Sequence, residues 1–142
     1  MGKINASRVV IGGLVAGVIF FVGDGAVNGV ILKSQWSEAL KVVGLSADDA
    51  FHNPIYFASY DLLKGLFAIW IYSAIRPRLG AGPKTALIAA LTIWALVLPI
   101  AMLGLLPMRF LTAQFVATWS ILALLPIVIG TLAGGWLYVE DA

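Results

Sequence analysis

Four apolar stretches, at residues 9–32, 55–75, 85–106 and 111–138, take up most of this chain and hold almost no charge. Each is about twenty residues or longer, the length of helix that crosses a hydrocarbon core of about 30 Å. Charged residues make up only 11% of the chain, against about 25% in soluble domains. With 61% hydrophobic residues and a mean hydropathy of +1.00, a water-soluble globule could not cover its surface. The expected fold is all-α: a polytopic transmembrane four-helix bundle, with a short interfacial helix between helices one and two. Residues 1–142 form one transmembrane domain, because no connection is long enough to fold alone.

Several function classes drop out. The net charge of +2 and pI near 9.1 arise from nine cations scattered mostly beside helix ends, without a basic patch, so no nucleic-acid partner is expected. The absence of cysteine removes disulfides and thiolate metal sites. The first apolar run is too long for a cleaved signal core of 7–15 residues, and no A-x-A-like site closes it. Met1-Gly2 lacks the Ser or Thr at position six that myristoylation needs, since Ala6 sits there. Asn5-Ala6-Ser7 fits the glycosylation pattern but falls on the expected cytoplasmic side. No H-E-x-x-H, G-x-S-x-G, Walker or C-x-x-C pattern occurs. The sole histidine, His52, lies in a loop beside Asp48 and Asp49, short of the three or more ligands a metal site needs. The chain therefore reads as non-catalytic, with no catalytic residue, metal or cofactor.

Ionisable side chains inside a membrane segment are expensive and mark structure or function. Three occur: Asp24 in the first stretch, Asp61 and Lys64 in the second. At 1.5 Å per residue, Asp24 lies roughly 12 Å below the outer boundary, and Asp61 and Lys64 roughly 9 and 14 Å below it. Antiparallel neighbouring helices would bring the three into one layer. A charge at a helix centre costs about 2.5–3.5 kcal/mol on insertion scales, so Lys64 is expected to pair with Asp24 across the helices and with Asp61 at i, i+3. Gly13, Gly17, Phe20, Asp24 and Asn28 share one helical face, which adds Asn28 to a buried polar cluster of Asp24, Asn28, Asp61 and Lys64. Gly13-x3-Gly17 and Gly25-x3-Gly29 have the small-residue spacing that lets membrane helices approach closely. In the second stretch Gly65, Ala68 and Tyr72 continue a matching stripe. Gln114 and Thr118 are expected to join the layer from the fourth, and Gly130, Gly134 and Gly135 to thin its inner end. Pro99 and Pro126 read as tolerated kinks.

The one sizeable connection, residues 33–54, carries Trp36, Leu40 and Val43 at i, i+4, i+7, one apolar face of a short helix lying in the headgroup layer, with Gly44 ending it. Ser46 offers an N-cap for a further turn, with Asp49 three residues on. Residues 76–84, with Arg76, Arg78, Lys84 and their prolines and glycines, predict a tight turn.

Gly12-Gly13-Leu14, Gly23-Asp24-Gly25, Val30-Ile31-Leu32-Lys33 and Trp36, with thirteen residues from Gly23 to Trp36, resemble the start of an uncharacterised bacterial family of small four-helix integral membrane proteins. In that family an aromatic-Ser-Pro turn ends the first helix; here Ala26-Val27-Asn28-Gly29 stands in its place. The resemblance implies a four-span layout over the whole chain and carries no activity.

The expected function is that of a helix-packing accessory subunit or homo-oligomeric component of the bacterial inner membrane, partnered by the lipid bilayer and by other membrane subunits or further copies of itself. The alternative is a small channel or transporter for an ion or polar solute, using the Asp/Lys layer. With the N-terminus inside, Lys3, Arg8, Arg76, Arg78 and Lys84 lie inside against Lys33, Lys41 and Arg109 outside. This excess places both termini in the cytoplasm. A Lys84→Cys variant should accordingly react with impermeant thiol reagent from the cytoplasmic side and Lys41→Cys from the opposite side. The reverse pattern would invert the topology.

Overall fold

The structure, a computed structural model, describes residues 4–140, which are helices and their connections without a strand. Lys3 and the Met1-Gly2 pair lie outside the described residues.

Helix α1, Ala6–Ala26, starts where the Asn5 side chain accepts the Arg8 N–H at 3.0 Å. It runs into a wide π turn, Val27–Ile31, closed by the Leu32 N–H donating to the Val27 carbonyl at 2.8 Å. Helix α2, Lys33–Val42, ends at Gly44, whose φ of 75° lets its N–H reach the Lys41 carbonyl while Leu45 reaches back to Leu40. Ser46 caps α3, Ala47–Phe51, by accepting the Asp49 N–H at 3.0 Å and donating its hydroxyl to the Asp49 carboxylate. Helix α4, Pro54–Leu79, carries proline at its first position, where the missing N–H is harmless. Helix α5, Pro83–Ala95, continues through a π turn at Leu96–Ile100 around Pro99 into the short α6, Ala101–Leu103, and a 3₁₀ turn at Leu106–Met108. Helix α7, Ala113–Trp136, is capped by Thr112, which accepts the Phe115 N–H at 3.1 Å.

Three segments are long and apolar enough to cross a membrane: Ala6–Ile31, Pro83–Met108 and Ala113–Trp136. They mark the chain as a membrane protein. Helix α4 matches them in length, but Asp61 and Lys64 lie in its middle. It also runs past the expected end at residue 75. Pro77 is carried inside the helix, and the chain reverses only where Gly80 and Gly82 take φ values of 88° and 129°. Loss of one N–H donor does not end a helix whose other turns are intact, so the tight turn begins later than the prolines and cations suggested.

The four long segments pack in the cyclic order α1, α4, α5, α7, with α1 making the most extensive contacts, to α4 and to α7. Glycine explains both. A Cβ on Gly13 or Gly17 would fall 2.7 Å from the Cα of Leu66 or Leu62, and one on Gly65 would strike the backbone of Gly13 and Gly17. Helices α1 and α4 thus touch backbone to backbone. One step around α1, Gly12 lies against Gly134, Gly23 against the ring of Pro126, and Phe20 fills the space over Gly130. Fully buried Phe20, Ile69 and Ile127 tie the three helices together at the centre.

One expectation requires correction. Gly25 and Gly29 do not serve helix packing within the chain: a Cβ on either would meet nothing within 4 Å. Both are exposed, Gly25 near the end of α1 and Gly29 in the π turn, whereas Gly13 and Gly17 are buried against α4. Val43 follows α2 as its cap residue and is 51% exposed, while Ala39 within the helix is buried. Trp36 turns toward α7, with its ring edge-on to Phe115 and Trp119 at 5.1 Å each and to Phe51 at 5.9 Å.

Substitution at the two glycine pairs should therefore diverge. Gly17→Val should destabilise the detergent-solubilised protein by about 1–3 kcal/mol through overpacking against α4, whereas Gly25→Val should stay within about 0.5 kcal/mol. Thermal unfolding of the two variants measures the difference, and equal losses would contradict this packing.

Candidate functional site

Below the aromatic cluster around Trp36, the close approach of α1 and α4 sets Asp24 opposite Lys64. Lys64 Nζ lies 2.6 Å from Asp24 Oδ2 on the neighbouring helix and 2.6 Å from Asp61 Oδ1 one turn back on its own. Asp61 sits there because i, i+3 residues stand over one another on a helix. The Lys64 and Asp61 side chains are each 3% exposed, and Asp24 is 18% exposed. The ammonium is also flanked by two rings, with the Phe20 centroid at 5.2 Å and the Tyr60 centroid at 5.0 Å. Ring faces carry negative potential, so they add to the carboxylates in holding the cation.

The lysine donates an aligned hydrogen bond to Asp24 Oδ2. It forms an equally short ion pair with Asp61 Oδ1, and Asp24 Oδ1 is buried without a hydrogen-bond partner among the described residues. Two carboxylates share one ammonium, with acceptor capacity left over.

Asn28 is placed differently from the polar layer expected of it. It lies within the π turn, where its Nδ2 donates to the Asp24 backbone carbonyl at 3.0 Å and its Oδ1 accepts the Trp36 indole N–H at 3.0 Å. It links the end of α1 to α2 and does not touch the charged side-chain atoms. Asn28 keeps the i, i+4 spacing from Asp24, but its amide takes the backbone carbonyl there and not the carboxylate.

Gln114 and Thr118 do not join the layer. Both are exposed, Thr118 donates to the Gln114 carbonyl at 3.0 Å, and with Gln35, Glu38 and Thr112 they line a polar recess of about 320 Å³ beside α2. Their spacing put them at the right end of α7 but on the wrong side of it. His52 is exposed, with Nδ1 2.5 Å from the Asp49 carbonyl. No group of three or more potential metal ligands occurs among the described residues.

Two contributors were not anticipated. Gly23, next to Asp24, admits Pro126 of α7 and so closes the bundle immediately beside the charged group. Trp94 of α5 donates its indole N–H to the Ser120 carbonyl of α7 at 2.7 Å. A tryptophan inside an apolar stretch looks the same in sequence whether it faces lipid, as half-exposed Trp70 and largely exposed Trp136 do, or a neighbouring carbonyl.

The bundle thus defines an α-helical membrane protein with a buried, three-membered charge cluster between two of its helices. No family model, curated protein or solved structure matches the chain.

A double-mutant cycle tests the strength of the charge cluster. Lys64→Met should cost about 3–5 kcal/mol in unfolding because it strands two buried carboxylates, and Asp24→Asn should cost less because Asp61 still pairs the ammonium. The combined variant should lose clearly less than the sum of the two. Strictly additive losses would show that the two side chains are not coupled.

Proposed function

We propose that this chain is a non-catalytic, four-span membrane protein, with α4 as the fourth span and both termini cytoplasmic. Its role is that of an accessory subunit or homo-oligomeric component held together by the Asp24–Lys64–Asp61 lock. The observation that carries this reading is the enclosure of the cluster. Lys64 and Asp61 are almost fully buried, each 3% exposed, and Asp24 beside them is 18% exposed. A conduit needs a route for water or ions to its charged groups, whereas a lock needs their exclusion.

Paired in this way, Asp61 and Lys64 no longer bar α4 from the bilayer. At the end where α1 begins, α4 ends, α5 begins and α7 ends, Arg8, Arg76, Arg78 and Lys84 face only Glu140 among the described acidic residues. That cationic excess supports a cytoplasmic placement. The role as a partner is supported by the free face of α1, where exposed Val18 and Val22 lead to Gly25, with no atom of the chain over it. Helix α2, with Trp36 directed into the bundle, would lie over the outer ends of α1 and α7 at the level of the headgroups.

The surplus of acceptors favours a second reading, an ion or proton site. Asp24 Oδ1 is buried without a donor, and two carboxylates share one lysine.

The two readings separate in one preparation. Native mass measurement of the particle released from lipid nanodiscs should give a multiple of 15.1 kDa or include a co-purifying chain. Proteoliposomes of the same material should pass neither protons nor monovalent ions above empty vesicles. A lone 15.1 kDa particle with a flux abolished by Asp24→Asn would reverse the assignment.

A further inference from the structure

Where α4 ends and α5 begins, the chain leaves a half-open cavity of about 490 Å³, closed on its third side by the end of α7. Tyr72, Ala86, Leu132, Trp136 and Tyr138 give it a mainly apolar wall, and Arg76 is its one cation. The Arg76 guanidinium stacks on the Tyr138 ring, with Cζ 5.3 Å from the centroid. Its Nη1 is buried and has no hydrogen-bond acceptor among the described residues. The nearest carboxylate oxygen, Glu140 Oε1, is 3.7 Å away, too far for a hydrogen bond. Tyr138 and Tyr72 are already engaged, their hydroxyls accepting from the Asn5 and Gly82 backbone N–H groups.

A buried guanidinium N–H without an acceptor is uncommon and costly. Its fixed fork suits the oxygens of a phosphate, and stacking on an aromatic ring holds that fork in place. Exposed Arg78 and Lys84 stand close by in sequence and add positive potential around the mouth. An inorganic anion would satisfy Arg76 but leave the apolar wall wet. An amphiphile satisfies both, and basic pockets between membrane helices on the cytoplasmic side are suited to acidic headgroups.

We propose that this cavity binds an anionic phospholipid. Its phosphate is held by Arg76, its glycerol and upper acyl carbons lie along Leu132 and Trp136, and Glu140 is the carboxylate that the phosphate displaces. Largely exposed Trp136 stands at the mouth, as tryptophans do at the headgroup boundary.

The test is native mass spectrometry of the full chain in mild detergent, titrated with phosphatidylglycerol, with diacylglycerol, which has the same acyl chains and no phosphate, or with inorganic phosphate. Phosphatidylglycerol should bind about tenfold or more tightly than diacylglycerol, the scale of a charge-assisted hydrogen bond, and Arg76→Gln should abolish the preference. Glu140→Gln, which removes the competing carboxylate, should tighten phosphatidylglycerol binding. It carries the test by itself if Arg76→Gln does not fold. Equal binding of the two lipids, a preference that survives Arg76→Gln, or Glu140→Gln binding no better than the parent would overturn the proposal. Inorganic phosphate binding as tightly as phosphatidylglycerol would overturn the lipid as occupant.

Discussion

Lys64 brings a positive charge into the middle of a helix whose neighbouring positions are Leu62, Leu63, Leu66 and Phe67. In such surroundings an ammonium is stable only where counter-charge is within hydrogen-bond reach and water is excluded without leaving donors bare. Asp61 supplies half of that from the same helix, but a single carboxylate one turn away could be provided by α4 alone. The second carboxylate must come from another helix. Reaching it at 2.6 Å fixes the azimuth of α1, its depth relative to α4 and the distance between the two axes. Few other contacts in the chain set all three at once.

Only a glycine-lined helix can meet that demand. Lysine is long, but it is packed here between Phe20 and Tyr60, so the backbones must come close for Asp24 to be within reach. Gly13, Gly17 and Gly65 remove the side chains that would hold them apart. The apolar contact and the ion pair therefore depend on each other: the glycines permit the approach, and the charges choose the register among the many a smooth small-residue surface would allow. Helix α7 then closes over α1 through Gly12, Gly23 and Gly130, where no charge is involved and shape alone decides the fit.

Much of this arrangement is legible in the chain itself, because its main signals are linear. Span length and the depth of a charged residue can be counted, and the matched depths of Asp24 and Lys64 bring them to one level before any coordinates exist. Rotation about a helix axis is harder to read. Gly13-x3-Gly17 and Gly25-x3-Gly29 are equivalent as patterns, yet one is buried against Leu62 and Leu66 and the other faces away. Gln114 and Thr118 were misplaced for the same reason. Asn28 keeps its spacing from Asp24, and what the pattern does not tell is that its amide takes a backbone carbonyl and an indole N–H in place of the charged groups. Trp94 and Gly23 were missed because their partners, a backbone carbonyl and a proline ring, belong to helices distant in sequence.

The two partners of the interhelical ion pair are 40 residues apart in the chain, with α2 and α3 between them. During synthesis Asp24 emerges first and has no cation to meet until α4 has been made. In the four-span arrangement α1 is long and apolar enough to cross lipid by itself, but it carries the cost of an unpaired Asp24 until Lys64 is made. Helix α4, too polar in its middle to partition readily alone, gains entry by the same pairing. The buried salt bridge thus has a consequence in time as well as in geometry, since lengthening the segment between the two helices would prolong the interval in which the nascent chain carries an unneutralised carboxylate.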